Sequence, residues 1–218
     1  MIPVITVGVT GHRPNRLSAD RLPAIASTID GIFRRIEGLS HRTPTLVSAL
    51  AEGADRLAAK AAMARGWQVI AALPFPADDY ETDFENPASR EEYRDLLSRS
   101  RVTSCAAERA KLQDAVDGYY AASAATVDLS NLVIAIWDGR TGRQRAGTFD
   151  TIVRALERGK PVIWIHAGKN KEPCVLLAED CELVLRGKWT GRSMDELIEW
   201  VDGSVDDVES VGAKSGGR

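Results

Sequence analysis

Five short apolar runs punctuate the chain: Val4 to Val9, Thr45 to Leu50, Gln68 to Leu73, Leu132 to Trp137 and Val162 to Ile165. Each is rich in β-branched residues, and none alternates cleanly between apolar and polar. A strand covered on one face alternates, whereas one covered on both faces does not. The runs therefore predict buried strands. Between them, apolar positions recur at helical spacing: Ala24, Ile25, Ile29, Ile32, Phe33 and Ile36; then Leu57, Ala61 and Ala64; then Leu112, Val116, Tyr119 and Tyr120; then Ile152, Val153 and Leu156. Strand alternating with helix predicts an α/β fold, an open and mostly parallel sheet with helices on both faces. Ser89 with Glu92, and Ser193 with Glu196, have capping-box spacing and predict two further helix starts. A sixth strand is expected from Glu182 to Leu185. Residues 1–202 read as one domain. Residues 203–218 are small and polar and read as a frayed tail or a linker.

Composition narrows the function classes. The 218 residues are 44% apolar and 27% charged, with a net charge of -3. Such a balance gives no overall basic field and argues against nucleic acid as partner. Cys105, Cys174 and Cys181 lie far apart, and His12, His41 and His166 are scattered, so reduced thiols and no metal site are expected. No apolar run approaches the roughly 20 residues of a membrane helix, and none resembles a signal peptide. A cytoplasmic protein without a membrane segment is expected.

Ligands of open α/β sheets bind beyond the carboxyl ends of the strands, and the unusual residues gather there. The first run leads into Thr10-Gly11-His12-Arg13-Pro14, the second into Ala51-Glu52-Gly53-Ala54-Asp55, and the third into the acidic, aromatic stretch from Pro74 to Asn86. The fourth leads into Asp138-Gly139 and on to Ala146-Gly147-Thr148-Phe149-Asp150, the fifth into His166-Ala167-Gly168. Arg13 offers a planar fork suited to phosphate or carboxylate. Gly53 either permits close approach of a ligand or simply turns the chain. Asp55 either accepts from ribose hydroxyls or caps a helix. Gly147-Thr148 reads as a helix start with free amides for a phosphate. Asp79, Tyr80 and Phe84 suggest a loop over the cleft, with Tyr80 or Phe84 stacking on a base or packing the loop down. GxGxxG after the first strand, GxxxxGK[ST] and GxSxG are all missing, so no redox cofactor, P-loop or esterase chemistry is expected.

The segments "VGVTGHR", "SALAEGADRLAAKAAMARGWQVIAALPFPADDYETDF" and "NLVIAIWDGRTGRQRAGTFDTIVRALERGKPVIWI" together resemble the SLOG superfamily. This is a Rossmann-like group that includes ligand sensors and the LOG phosphoribohydrolases. The resemblance implies a nucleotide-derived ligand, NAD-derived, ADP-ribose-type or cyclic. It implies a homo-oligomer and a fused or associated effector, as in bacterial defence. By motif position it implies binding by Gly11, His12 and Arg13, by Gly53, Ala54 and Asp55, by Asp138 and Gly139, and by Gly147, Thr148 and Asp150; Glu52 and Pro74, at the same strand ends, are further binding candidates. Two departures stand out. Ala146 occupies the place of a usual first glycine. Thr151 occupies the place of the hydrolases' glutamate and cannot act as a carboxylate. The expectation is binding without turnover, with no cofactor. The alternatives are a nucleotide N-glycosidic hydrolase using Asp150 or Glu52, and a DNA-processing protein.

Overall fold

The computed structural model describes residues 4–40, 42–104, 108–141, 145–188, 191–197 and 200. His41, Cys105 and the tail at 203–218 lie outside them. The chain runs β1 (Thr6–Gly11), α1 (Leu22–Leu39), β2 (Thr45–Ser48), α2 (Ala54–Ala64), β3 (Gln68–Leu73), α3 (Ala77–Glu81), α4 (Pro87–Ser98) and β4 (Arg101–Ser104). It continues with α5 (Ala115–Asp128), β5 (Leu132–Trp137), α6 (Thr148–Glu157), β6 (Val162–His166), β7 (Cys174–Leu176) and α7 (Cys181–Leu185).

The strands form one sheet in the order β4-β3-β2-β1-β5-β6-β7. Every pairing is parallel except β6 with β7. Strands two to four step outward from β1 on one side, and strands five to seven on the other. The strand order therefore reverses between β1 and β5, where crossing connections leave a crevice at the carboxyl edge. The open α/β expectation is met. Both faces of β5 are covered, and all six of its residues are buried.

Packing explains the element boundaries. In α1, Ile25, Ile29, Ile32, Phe33 and Ile36 are buried at the predicted spacing. The face of α2 differs from expectation. Ala54, Ala58, Ala59 and Ala62 are fully buried, while Leu57 and Ala61 only flank the core. A face of alanines lets α2 lie close to β1 and β2. Arg56 is buried beside it. Its Nε donates to the Leu50 carbonyl at 3.0 Å, and Nη1 donates to the Ser89 carbonyl at 2.9 Å and to Glu92 Oε2 at 3.0 Å. These bonds tie the β2–α2 loop to α4.

Three sequence expectations are corrected. Residues 182–185 are helical, part of α7, because the antiparallel edge is taken by β7 and Val184 packs against Leu176 and its neighbours. The helix near Ser89 starts earlier: the Asn86 side chain accepts from the Ala88 amide at 2.9 Å, with Pro87 in the first turn. Ser89 and Glu92 instead serve Arg56. Ser193 does accept from the Asp195 amide at 3.2 Å, but Glu196 pairs with Arg192 rather than closing a capping box.

The carboxyl end of α5 is held by one side chain. Lys160 Nζ donates to the carbonyls of Val127 at 2.5 Å, Ser130 at 2.6 Å and Asp128 at 3.1 Å. Lys160→Met leaves these acceptors without their donor. A loss of about 1–3 kcal/mol is expected in urea unfolding. An unchanged midpoint would show that water serves equally well.

Candidate functional site

A cleft of about 540 Å³ opens at the switch between β1 and β5. Thr10, Gly11, His12, Arg13 and Arg16 line it from the β1 side, and Ala49, Ala51 and Asp55 from the β2–α2 junction. Pro74 and Tyr80 follow from the end of β3, Arg145 to Thr148 with Thr151 from α6 and its leading loop, and Tyr119, Ser123 and Thr126 from α5. The volume is that of a small-molecule site.

Each predicted residue now has a place. Gly53 has φ 91°, and a Cβ there would stand 2.5 Å from the His12 carbonyl oxygen. Its glycine lets two loops press together, and Gly53 itself does not line the cleft. The Ala54 amide donates to that same carbonyl at 3.1 Å, so it is not free at the helix start. Asp55 is not the cap of α2, a position held by Gly53. Its side chain turns back under the β2 end and faces the cleft. Glu52 points away and accepts from the Ser89 hydroxyl. Asp150 also turns away, its Oδ2 accepting from the Ala146 amide at 3.2 Å.

Thr151, by contrast, faces inward. Its hydroxyl lies 2.7 Å from that of Ser123 and 3.1 Å from the Gly147 carbonyl. Gly147 is the N-cap of α6, and Thr148 begins the helix. Ala146 adopts φ 69°, so the turn keeps a glycine-like backbone although the residue is alanine. The first amides of α6 lack helical acceptors, and Gly147 and Thr148 line the cleft.

His12, which lines the cleft, and Asp138, which does not, form a unit at the end of β1 and β5. His12 Nε2 lies 3.1 Å from both the amide nitrogen and Oδ1 of Asp138, and Arg16 reaches Asp138 Oδ2 at 2.7 Å. Burial lowers the His12 pKa. Burial alone would raise Asp138, but the Arg140 amide, Arg16 and His12 outweigh it and hold it at about 2. Asp138 thus sets the first loop, and Gly139, with φ 83°, turns the chain after it. Neither lines the cleft.

The expectation of a stacking lid is not met. Tyr80 and Phe84 are 1% and 0% exposed, packed edge to face at 5.1 Å and both against Tyr93. Their rings are spent on one another. Asp79 is held by Arg109, whose Nε lies 2.9 Å away and whose guanidinium stacks over Phe75 at 3.9 Å.

No family model and no curated protein matches the sequence. Solved structures do. The chain matches DNA processing protein A from Streptococcus pneumoniae at 22% identity and a TM-score of 0.56, over 90% of its own length and 62% of that protein's. It matches DNA processing protein A from Helicobacter pylori, described with a single-stranded DNA binding mode, at 15% identity and a TM-score of 0.55, over 92% and 81% of the two chains. The Moco carrier protein from Chlamydomonas reinhardtii aligns at 19% identity and a TM-score of 0.49, over 97% and 99%. The likeness is one of fold. The chain spans less than two thirds of the pneumococcal protein.

Several residues that line this cleft were not among the sequence candidates: Arg16, Arg145, Ser123, Thr126 and Thr151. Arg145 leads directly into the Ala146 turn, and that adjacency was the available signal. The α5 hydroxyls had none, since only the crossing of α5 over the switch brings them in. Arg145 is anchored by Asp117 at 2.7 Å and lies over the Tyr120 ring at 4.7 Å. A phosphate or sulfate is expected near the amides of Gly147 and Thr148 in crystals grown with either ion. Electron density for the anion at a remote site, with this turn empty, would refute the placement.

Proposed function

We propose that the chain is a SLOG-type module that binds a nucleotide-derived anion without turning it over. The observation that carries this reading is the convergence of Arg13, Arg16, Arg145 and the α6 start on one cleft at the strand switch. The phosphoryl end lies at Gly147-Thr148, and the apolar wall of Val9, Pro74, Val116 and Ala122 takes the base. ADP-ribose-type, NAD-derived and cyclic nucleotides all fit this pattern. Signal output would pass to a second copy of the chain or to an effector.

Orientation supports binding without hydrolysis, Asp55 being the one carboxylate that lines the cleft among the described residues. The two carboxylates considered for glycosidic cleavage, Glu52 and Asp150, both turn away from the cleft, and the inward residue is Thr151. An oxocarbenium-like transition state is left without a carboxylate from either. Prolonged incubation with AMP at high protein concentration is expected to release no free base above a protein-free control. Release that Asp150→Asn abolishes would reverse this reading.

Calorimetry with ADP-ribose, AMP and a cyclic dinucleotide tests binding directly. Arg13→Glu is expected to weaken the best of them at least tenfold, since a charge-assisted hydrogen bond contributes about 1.5–3 kcal/mol. The fold shared with DNA processing protein A supports single-stranded DNA as a second reading, with the same arginines at the mouth of the cleft. Fluorescence anisotropy with a short oligonucleotide, repeated across salt concentrations, separates the two.

A further inference from the structure

Among the described residues that line the cleft, Asp55 is the only carboxylate. It is 6% exposed. Its Oδ2 accepts from Ser48 Oγ at 3.3 Å and from the Ala49 amide at 3.2 Å, both long contacts, and the Ala51 amide also bonds to the carboxyl. Among the described residues no cation comes within ion-pair distance of it. Arg13 acts on it only from further off, being directed at Asp83 at 3.9 Å and half exposed. From α3, Tyr80 faces the same ground and is itself buried and neutral, with Arg13, Asp55, Asp83 and Tyr119 acting on it. His12 completes the surround from the β1 end. A buried carboxylate without a counter-ion costs several kcal/mol, and a proton removes that cost.

We propose that Asp55 meets the ligand as a neutral carboxylic acid, so that the deep end of the cleft takes a hydrogen-bond acceptor such as a ring nitrogen or a carbonyl oxygen. This rests on the nucleotide-binding reading and sharpens it: the ligand is anionic at the Gly147-Thr148 end and carries an unprotonated acceptor at the other. The same burial lifts the Asp55 pKa to about 7, against the opposing pull of Ser48, the Ala49 amide, Arg13 and the Ala51 amide. A carboxylic acid kept neutral by an apolar site so that it can donate is a known device.

Two measurements test the proposal. The first is carbon-detected NMR titration of the Asp55 carboxyl in the unliganded protein. A midpoint near 7 is expected, and one near 4 overturns the proposal whatever the protein binds. The second is AMP affinity between pH 7 and pH 9, above the range where the phosphate itself titrates. If only the protonated form binds, affinity falls about 50-fold over this interval. Asp55→Asn keeps a donor at the same place, so its affinity is expected to be retained and flat with pH. Asp55→Ala is expected to lose binding throughout. Affinity that rises with pH, or an Asp55→Asn variant that binds poorly at pH 9 where the wild type binds well, means that Asp55 accepts rather than donates. If AMP fails to bind the wild type at every pH, the functional reading falls, while the carboxyl titration still decides the state of Asp55.

Discussion

Asp55→Asn is expected to become progressively more stable than the wild type as pH rises from 4 to 7. The sign follows from proton counts. The folded Asp55 titrates at about 7, against 3.8 for the exposed group, because burial disfavours its charge. Between these values the folded chain holds a proton that the unfolded chain has released, so stability falls as pH rises. The contribution is fully present below about pH 4, declines through the window, and is constant above about pH 7. Asparagine does not titrate and removes the slope. At about 1.4 kcal/mol per pH unit, the gap between variant and wild type should widen by roughly 2–3 kcal/mol from pH 5 to pH 8. Urea unfolding of both proteins at the two pH values cancels all other titrating groups. A gap that stays constant would show that Asp55 is ionised in the fold.

Gly53→Ala is the second large effect. At φ 91° a side chain is strained, and the added Cβ would stand 2.5 Å from the His12 carbonyl oxygen and 3.1 Å from both Arg13 Cα and Leu17 Cδ1. Strain and displacement together predict a loss of about 3 kcal/mol or more. Gly66 supplies the control. Its φ is 76°, but a methyl added there would meet nothing within 4 Å. Gly66→Ala should therefore cost only the left-handed penalty of about 1–2 kcal/mol. Equal losses at the two positions would show that the contact between the first and second loops is not tight. Because Gly53 holds the His12–Arg13 segment against α2, its substitution should also weaken anion binding, and Gly66→Ala should not.

The parts legible in the sequence were those where one physical effect dominates. Gln68 to Leu73 and Leu132 to Trp137 match β3 and β5 at both ends; β5 is apolar and buried throughout, and in β3 only the first residue, Gln68, is polar and exposed. β4 was invisible, since Arg101-Val102-Thr103-Ser104 carries a single apolar residue and gains its place only by pairing with β3. Four residues such as Glu182 to Leu185 cannot distinguish strand from helix by period alone. The candidate site was legible as a set of loops and illegible as directions. Gly11, His12, Arg13, Asp55, Pro74, Gly147 and Thr148 do converge. Glu52 and Asp150 sit in the right loops, but neighbouring donors, the Ser89 hydroxyl and the Ala146 amide, draw them elsewhere. Tyr80 and Phe84 looked available for stacking only because Tyr93, with which both pack, comes later in the chain.

The pairing of β1 with β5 has a consequence for how the protein is made. Asn131 Oδ1 accepts from the Thr6 amide across 125 residues of sequence. On a ribosome, β1 through β4 and their helices emerge first and can assemble as a half-sheet whose innermost strand has an open edge. That edge is an invitation to wrong partners until β5 arrives to cover it. The walls contributed by Arg145 to Thr151 come later still. A nascent chain released before that point would hold most of a hydrophobic core and none of the Gly147-Thr148 turn that lines the cleft. Binding competence and resistance to aggregation should therefore appear together, late in synthesis.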